Sequence, residues 1–96
     1  MNGCEYIPVF CKSENEKLDY KVDWSLWLGA DQVDESEWTV PAGLTQESHT
    51  FSAKETTVWI SGGTLGTVYT LVNKITTLSN PPRIAERTIK INLTQR

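Results

Sequence analysis

The sequence predicts an all-β fold of two packed sheets. Three observations lead there. Apolar and polar residues alternate with a period of two through most of the chain, and seven such runs are separated by polar, glycine or proline punctuation. Threonine is abundant, and no stretch of two or three turns presents a helical apolar face. A half-apolar sheet is not stable alone in water, whereas two sheets stacked about 10 Å apart bury both apolar faces. With 96 residues, 39 % apolar and 22 % charged, the chain has enough apolar surface for one core and little room for a catalytic cleft.

Residues 1–16 read as an extended N-terminal arm ahead of a domain spanning 17–96. Tyr6, Ile7, Val9 and Phe10 are apolar around Pro8, and the charged stretch Lys12–Lys17 separates them from the first strongly patterned strand. Such an isolated apolar segment either folds back on its own domain or docks on a neighbouring subunit. Leu18, Tyr20, Val22 and Trp24 then alternate with Asp19, Lys21 and Asp23 as a strand, and Ser25–Gly29 carries it into a turn. Asp34-Glu35 is a polar break before a strand at Glu37–Val40, which Pro41-Ala42-Gly43 ends. Leu44–Ser48 reads as an edge strand. In Glu55–Ser61, Val58 and Ile60 share a face opposite Trp59.

Gly62-Gly63-Thr64-Leu65-Gly66 is a turn that needs positive φ, and Gly62 and Gly63 are its determinants. The longest run, Thr67–Leu78, places Tyr69, Leu71 and Asn73 opposite Val68, Thr70 and Val72 and stops at Asn80-Pro81-Pro82. Ile89, Ile91 and Leu93 alternate in the last strand, Ile84–Leu93. The number and size of these segments match an immunoglobulin-like β-sandwich without the core disulfide, preceded by the extended arm; a small barrel is the alternative.

Four tryptophans mark candidate packing and contact sites. Trp38 and Trp59 are expected in the core. Trp24 and Trp27, three apart in an extended chain, fall on opposite faces, so Trp24 packs inside while Trp27 is available as an interface anchor or a sugar-stacking platform. Tyr69 occupies the position from which a sandwich tyrosine bonds back to the preceding loop. Trp24, Trp38, Trp59, Gly62, Gly63 and Tyr69 are thus the expected fold determinants, and Tyr6, Ile7, Val9, Phe10 and Trp27 the expected interface residues.

Catalytic chemistry finds no support. His49 is the single histidine, so a serine triad and a structural zinc site both lack partners. The glycine turn lacks the Lys-Ser/Thr of a phosphate loop. The acidic residues at 31–37 lack the spacing and glycine of a helical calcium loop. No catalytic residue, metal site or cofactor is expected. Cys4 and Cys11 read as thiols of a reducing compartment. A net charge of −3 disfavours a general nucleic-acid binder, and no run of roughly 20 apolar residues is present to span a bilayer. No signal peptide is evident, so synthesis and residence in the cytoplasm are expected. Charge is divided: −7 over residues 1–48 and +4 over residues 49–96. Either strands from the two halves interleave and blur this division, or complementary faces of separate copies attract.

The strings LDYKVDWSLWLG, WTVPAGLT and TTVWISGGTLGTVYTLVNKITT, with the lead-in PVFCKSENEKLDY, resemble a family of small tail-associated proteins of tailed bacteriophages and prophages, the fiber–tail adaptors. The resemblance runs from Pro8 to near Leu93. Asp23-Trp24, Trp27-Leu28, Trp38–Pro41, Gly62-Gly63 and Tyr69 match as fold markers. The Met1–Glu5 extension and the Asn80-Pro81-Pro82 turn depart from the pattern. The resemblance implies a non-enzymatic structural part of the virion, at the neck or tail, that links fiber or tail proteins to the particle. It implies several copies in a symmetric assembly and other virion structural proteins as partners. The alternative function is a carbohydrate- or host-surface-binding module displayed on the virion.

Overall fold

The computed structural model describes residues 7–95. Seven strands, β1 (Val9–Lys12), β2 (Leu18–Asp23), β3 (Val33–Thr39), β4 (Leu44–Phe51), β5 (Glu55–Gly62), β6 (Val68–Thr77) and β7 (Ile84–Leu93), are joined by loops and one helical turn, α1 (Ser25–Leu28). They form two sheets, one of order β1-β7-β6-β3 and the other of order β2-β5-β4. Every pairing is antiparallel except that of β1 with β7.

The period-two pattern decides which face of each strand is buried. Tyr69, Leu71 and Ile75 of β6 and Ile89, Ile91 and Leu93 of β7 point inward. They meet Tyr20 and Val22 of β2 and Val58 and Ile60 of β5, with Trp38, Trp24 and Leu28 closing the sides. Full burial of each large aliphatic side chain contributes about 1.5–3 kcal/mol, so this interleaved layer holds the two sheets together.

Four local expectations are corrected. The segment read as an arm supplies β1: Val9–Lys12 pairs with Lys90–Leu93, and Phe10 lies against Tyr20 with ring centroids 5.2 Å apart. Lys12, read as the start of a charged stretch outside the domain, is buried. Its ammonium donates to the carbonyls of Gly62 (2.7 Å) and Ser13 (2.8 Å), which replace water around the charge. Burial pushes its pKa down, and Glu16 partly opposes that shift.

In β3 the expected break at Asp34-Glu35 is a bulge inside one longer strand, because the register with β6 slips between Val33 and Glu35. Trp59 is the third correction. Its neighbours Val58 and Ile60 take the inward face of β5, so period two sends the indole to the outer face, where it is 38 % exposed. The fourth is α1. Asp23 Oδ1 accepts the Ser25 N–H (2.9 Å), and Leu28 and Gly29 N–H groups bond back to Trp24 and Ser25 carbonyls, so the chain coils for one turn instead of remaining extended.

Tyr69 is buried, and its hydroxyl accepts the Thr64 N–H at 2.9 Å across the glycine turn. The hydrogen bonds from Thr64 draw the phenol pKa down. Tyr69→Phe leaves that amide without its acceptor and is expected to cost about 1 kcal/mol, read as a fall in the urea midpoint at constant m-value.

Candidate functional site

With α1 formed, Trp24 and Trp27 share one end of the sandwich instead of opposite faces. Their rings meet edge-on at 5.5 Å. Trp24 is buried and donates its indole N–H to Asn73 Oδ1 (3.0 Å). Arg87 covers the Trp24 ring at 4.5 Å and donates to the Asp23 carbonyl. Arg83 covers Trp27 at 4.3 Å, pairs with Asp31 at 3.1 Å and donates to the Leu28 carbonyl. Lys54, from the β4–β5 turn, donates to the carbonyls of Gly29 and Asp31. Three cations from the later half of the sequence thereby pin the β2–β3 connection, with Leu26 left 98 % exposed at its tip. Cation–aromatic contacts of this kind contribute about 0.5–2 kcal/mol each.

Asp31 is the electrostatic centre of this end. Desolvation pushes its pKa up, but the Gln32 N–H, the hydroxyls of Ser79 and Thr77, and Arg83 together outweigh it and bring the pKa to about 2. A carboxylate whose folded pKa lies below its ordinary value of 3.8 stabilises the fold above pH 4, and that contribution is lost as pH falls from 4 towards 2. Thermal melts across this window are expected to show a steeper acid-side decline for the parent than for Asp31→Asn.

Below this end lies a buried polar junction that sequence reading missed. Asn73, on β6 and fully buried, uses both ends of its amide. Oδ1 accepts from Trp24 Nε1 and from Thr56 Oγ1 (2.6 Å), and Nδ2 donates to Ser36 Oγ and the Glu37 carbonyl, each at 2.9 Å. It ties β6 to β3, to β5 in the facing sheet and to the α1 connection. The only signal in the sequence is an asparagine at an inward position of an apolar strand.

The remaining expected site residues are dispersed. Tyr6 and Cys4 lie outside the described residues. Ile7 and Val9 are exposed at the β1 edge, whereas Phe10 and Trp27 are half-buried against the core. Cys11 is exposed on β1. Trp38 is buried on β3. Gly62 and Gly63 both have positive φ, +81° and +104°. Among the described residues no group of three or more His, Cys, Asp or Glu side chains could hold a metal ion, and no helix is long and apolar enough to cross a membrane. What this arrangement offers chemically is a two-sheet body with exposed strand edges.

Comparison with known families bears on that body directly. A family profile described as podophage GP4 fiber-tail adaptor protein gp77 matches residues 12–92, from the last residue of β1 to the penultimate residue of β7. No curated protein matches the chain. Since the profile spans β2 to β6 in full and most of the chain, the protein belongs to the podophage GP4 fiber-tail adaptor gp77 family, a structural phage-tail family and not an enzyme class.

Proposed function

We propose that this chain is a non-catalytic adaptor of a tailed-phage virion that joins a fiber to the tail, working in several copies around the tail axis. The observation that carries the reading is the family match over residues 12–92. The fold suits the task. Its two sheets are tied together by a buried polar junction, and its exposed edges supply backbone groups for neighbours. We assign it to the immunoglobulin-like class, because the orders β2-β5-β4 and β7-β6-β3 reproduce the B-E-D and G-F-C sheets of that architecture, with Trp38 on the third strand. The exposed Ile7 and Val9, together with Tyr6, form the proposed contact with an adjoining subunit, and placement at the neck or tail follows from the adaptor role. Phage lacking this chain are expected to assemble tailed particles without fibers, and complementation in trans should restore them. Fibers on the deletion particles would contradict the proposal.

The exposed Trp59 favours one second reading, a glycan platform on the outer face of the β2-β5-β4 sheet. Quenching of its fluorescence by host-surface polysaccharide, lost in Trp59→Ala, would support that reading.

A further inference from the structure

The sandwich is incomplete along one side. In the register of β4 with β5, Gln46, His49 and Phe51 lie opposite Ile60, Val58 and Thr56. Directly paired residues share a face, so all three belong to the inward side of the sheet. Yet Ile60, Val58 and Thr56 are fully buried, while Gln46, His49 and Phe51 are exposed, with Phe51 at 44 %. The facing sheet ends at β3, so β4 overhangs it with little to cover its inner face.

The strand at that boundary is unusual in its chemistry. Along β3, Glu35 and Glu37 are exposed, and Asp34 sits at the bulge. Among the described residues none of these three makes an ion pair within 4.0 Å, although Glu37 lies opposite Lys74 in the β3–β6 register. A depression of about 400 Å³ follows β3, lined by these acids with Phe51 and Ile84 as apolar members and Lys74 as its one cation. Acidic residues on an edge strand often serve only to keep other strands away. Here they border apolar side chains that stay partly wet, so the edge suits a partner that brings opposite charge.

We infer that β3 accepts an extended basic-apolar segment of a virion partner as a fifth strand of the β1-β7-β6-β3 sheet. The new strand would hydrogen-bond to the free backbone edge of Glu35–Thr39. Its outward side chains would stand beside Glu35 and Glu37, where lysine or arginine is matched. Its inward ones would lie beside Ser36 and Trp38, where apolar groups cover the overhanging Phe51. Period two permits both at once, since one strand can be basic on one face and apolar on the other.

The inference rests on the adaptor reading, and the test separates the two. Phage carrying the parent chain, Glu35→Lys/Glu37→Gln, in which glutamine avoids setting a second lysine opposite Lys74, or the control Asp19→Lys on the outer face of the other sheet are purified, and the chain is quantified in the particles by mass spectrometry. Isolated proteins are melted in parallel. The expected result is equal melting temperatures, parental incorporation of the control, and at least a tenfold loss for the β3 variant. Hydrogen exchange of the segment 33–40 should slow at least tenfold in particles relative to the isolated parent. Parental incorporation of the β3 variant, or unchanged exchange in that segment, overturns the strand addition and leaves the adaptor role standing. If the β3 variant melts lower, the exchange result on the parent decides. Absence of the parent chain from particles overturns both.

Discussion

Asn73→Leu is expected to destabilise the fold by about 3–5 kcal/mol, despite replacing a polar core residue with an apolar one of similar size. The side chain sits at a four-way junction. Its loss strands the Trp24 indole N–H and the Thr56 hydroxyl, both bonded to Oδ1, and leaves Ser36 and the Glu37 carbonyl without the Nδ2 donor. A buried polar group left without a partner costs about 1–3 kcal/mol, and serine or threonine hydroxyls recover part of that by rotating to new acceptors. The indole cannot rotate so freely, because Arg87 covers its ring and Trp27 abuts it. The α1 end should therefore loosen first. Chemical denaturation gives the total, and hydrogen exchange at residues 24–33 should rise more than at β7. A variant of parental stability would show that the junction contributes nothing net.

Gly63→Ala is expected to cost about 2–4 kcal/mol, from two independent sources. At φ +104° the backbone occupies a region that an L side chain enters only with strain. A Cβ there would also lie 2.7–2.9 Å from the Cγ and both methyl carbons of Leu93. Leu93 is 1 % exposed and packed in the core, so it gives way only by disturbing the end of β7. Gly43 meets a related constraint: a Cβ there would stand 2.9 Å from the Tyr69 hydroxyl, which is already engaged by Thr64. The glycine turn, Tyr69 and the end of β7 thus form one interlocked end. Urea denaturation of Gly63→Ala alongside Tyr69→Phe checks the ranking, since the alanine variant should lose more.

What the sequence made legible follows from how each element is encoded. Alternation is strict in Leu18–Asp23 and from Ile89 to Leu93, and both became strand with the apolar face buried; in Val68–Thr77 apolar residues occupy both faces, and the strand was legible from its length and β-branched content. The glycine turn could be read because positive φ restricts residue choice. Bulges are harder, since one extra residue at Asp34 or near Glu47 breaks the period locally, so β3 and β4 ran longer than the pattern suggested. The helical turn at Ser25–Leu28 was hidden for a different reason. It is stabilised by Asp23, by Lys54 from a distant turn and by tertiary packing, none of which leaves a periodic trace in four residues.

The cation–aromatic end was equally silent in the sequence. Arg83 and Arg87 lie more than fifty residues from the tryptophans they cover. The division of charge between the halves has one counterpart here: Arg83 of the basic second half pairs with the Asp31 carboxylate, whereas Lys54 and Arg87 reach the same region through backbone carbonyls. Within one copy, the interleaving of strands from the two halves accounts for that much of the asymmetry. Along β3 only Glu37 has a cation opposite it, Lys74, and no ion pair within 4.0 Å forms there among the described residues, so the candidate contact edge emerged only once strand order was known.

A map of the intact phage particle tests the adaptor role most directly. The account predicts seven-stranded sandwich density of this shape at each junction between fiber and tail, into which β2 to β7 dock without rearrangement. Continuous density from fiber to tail with no such body between them would contradict it.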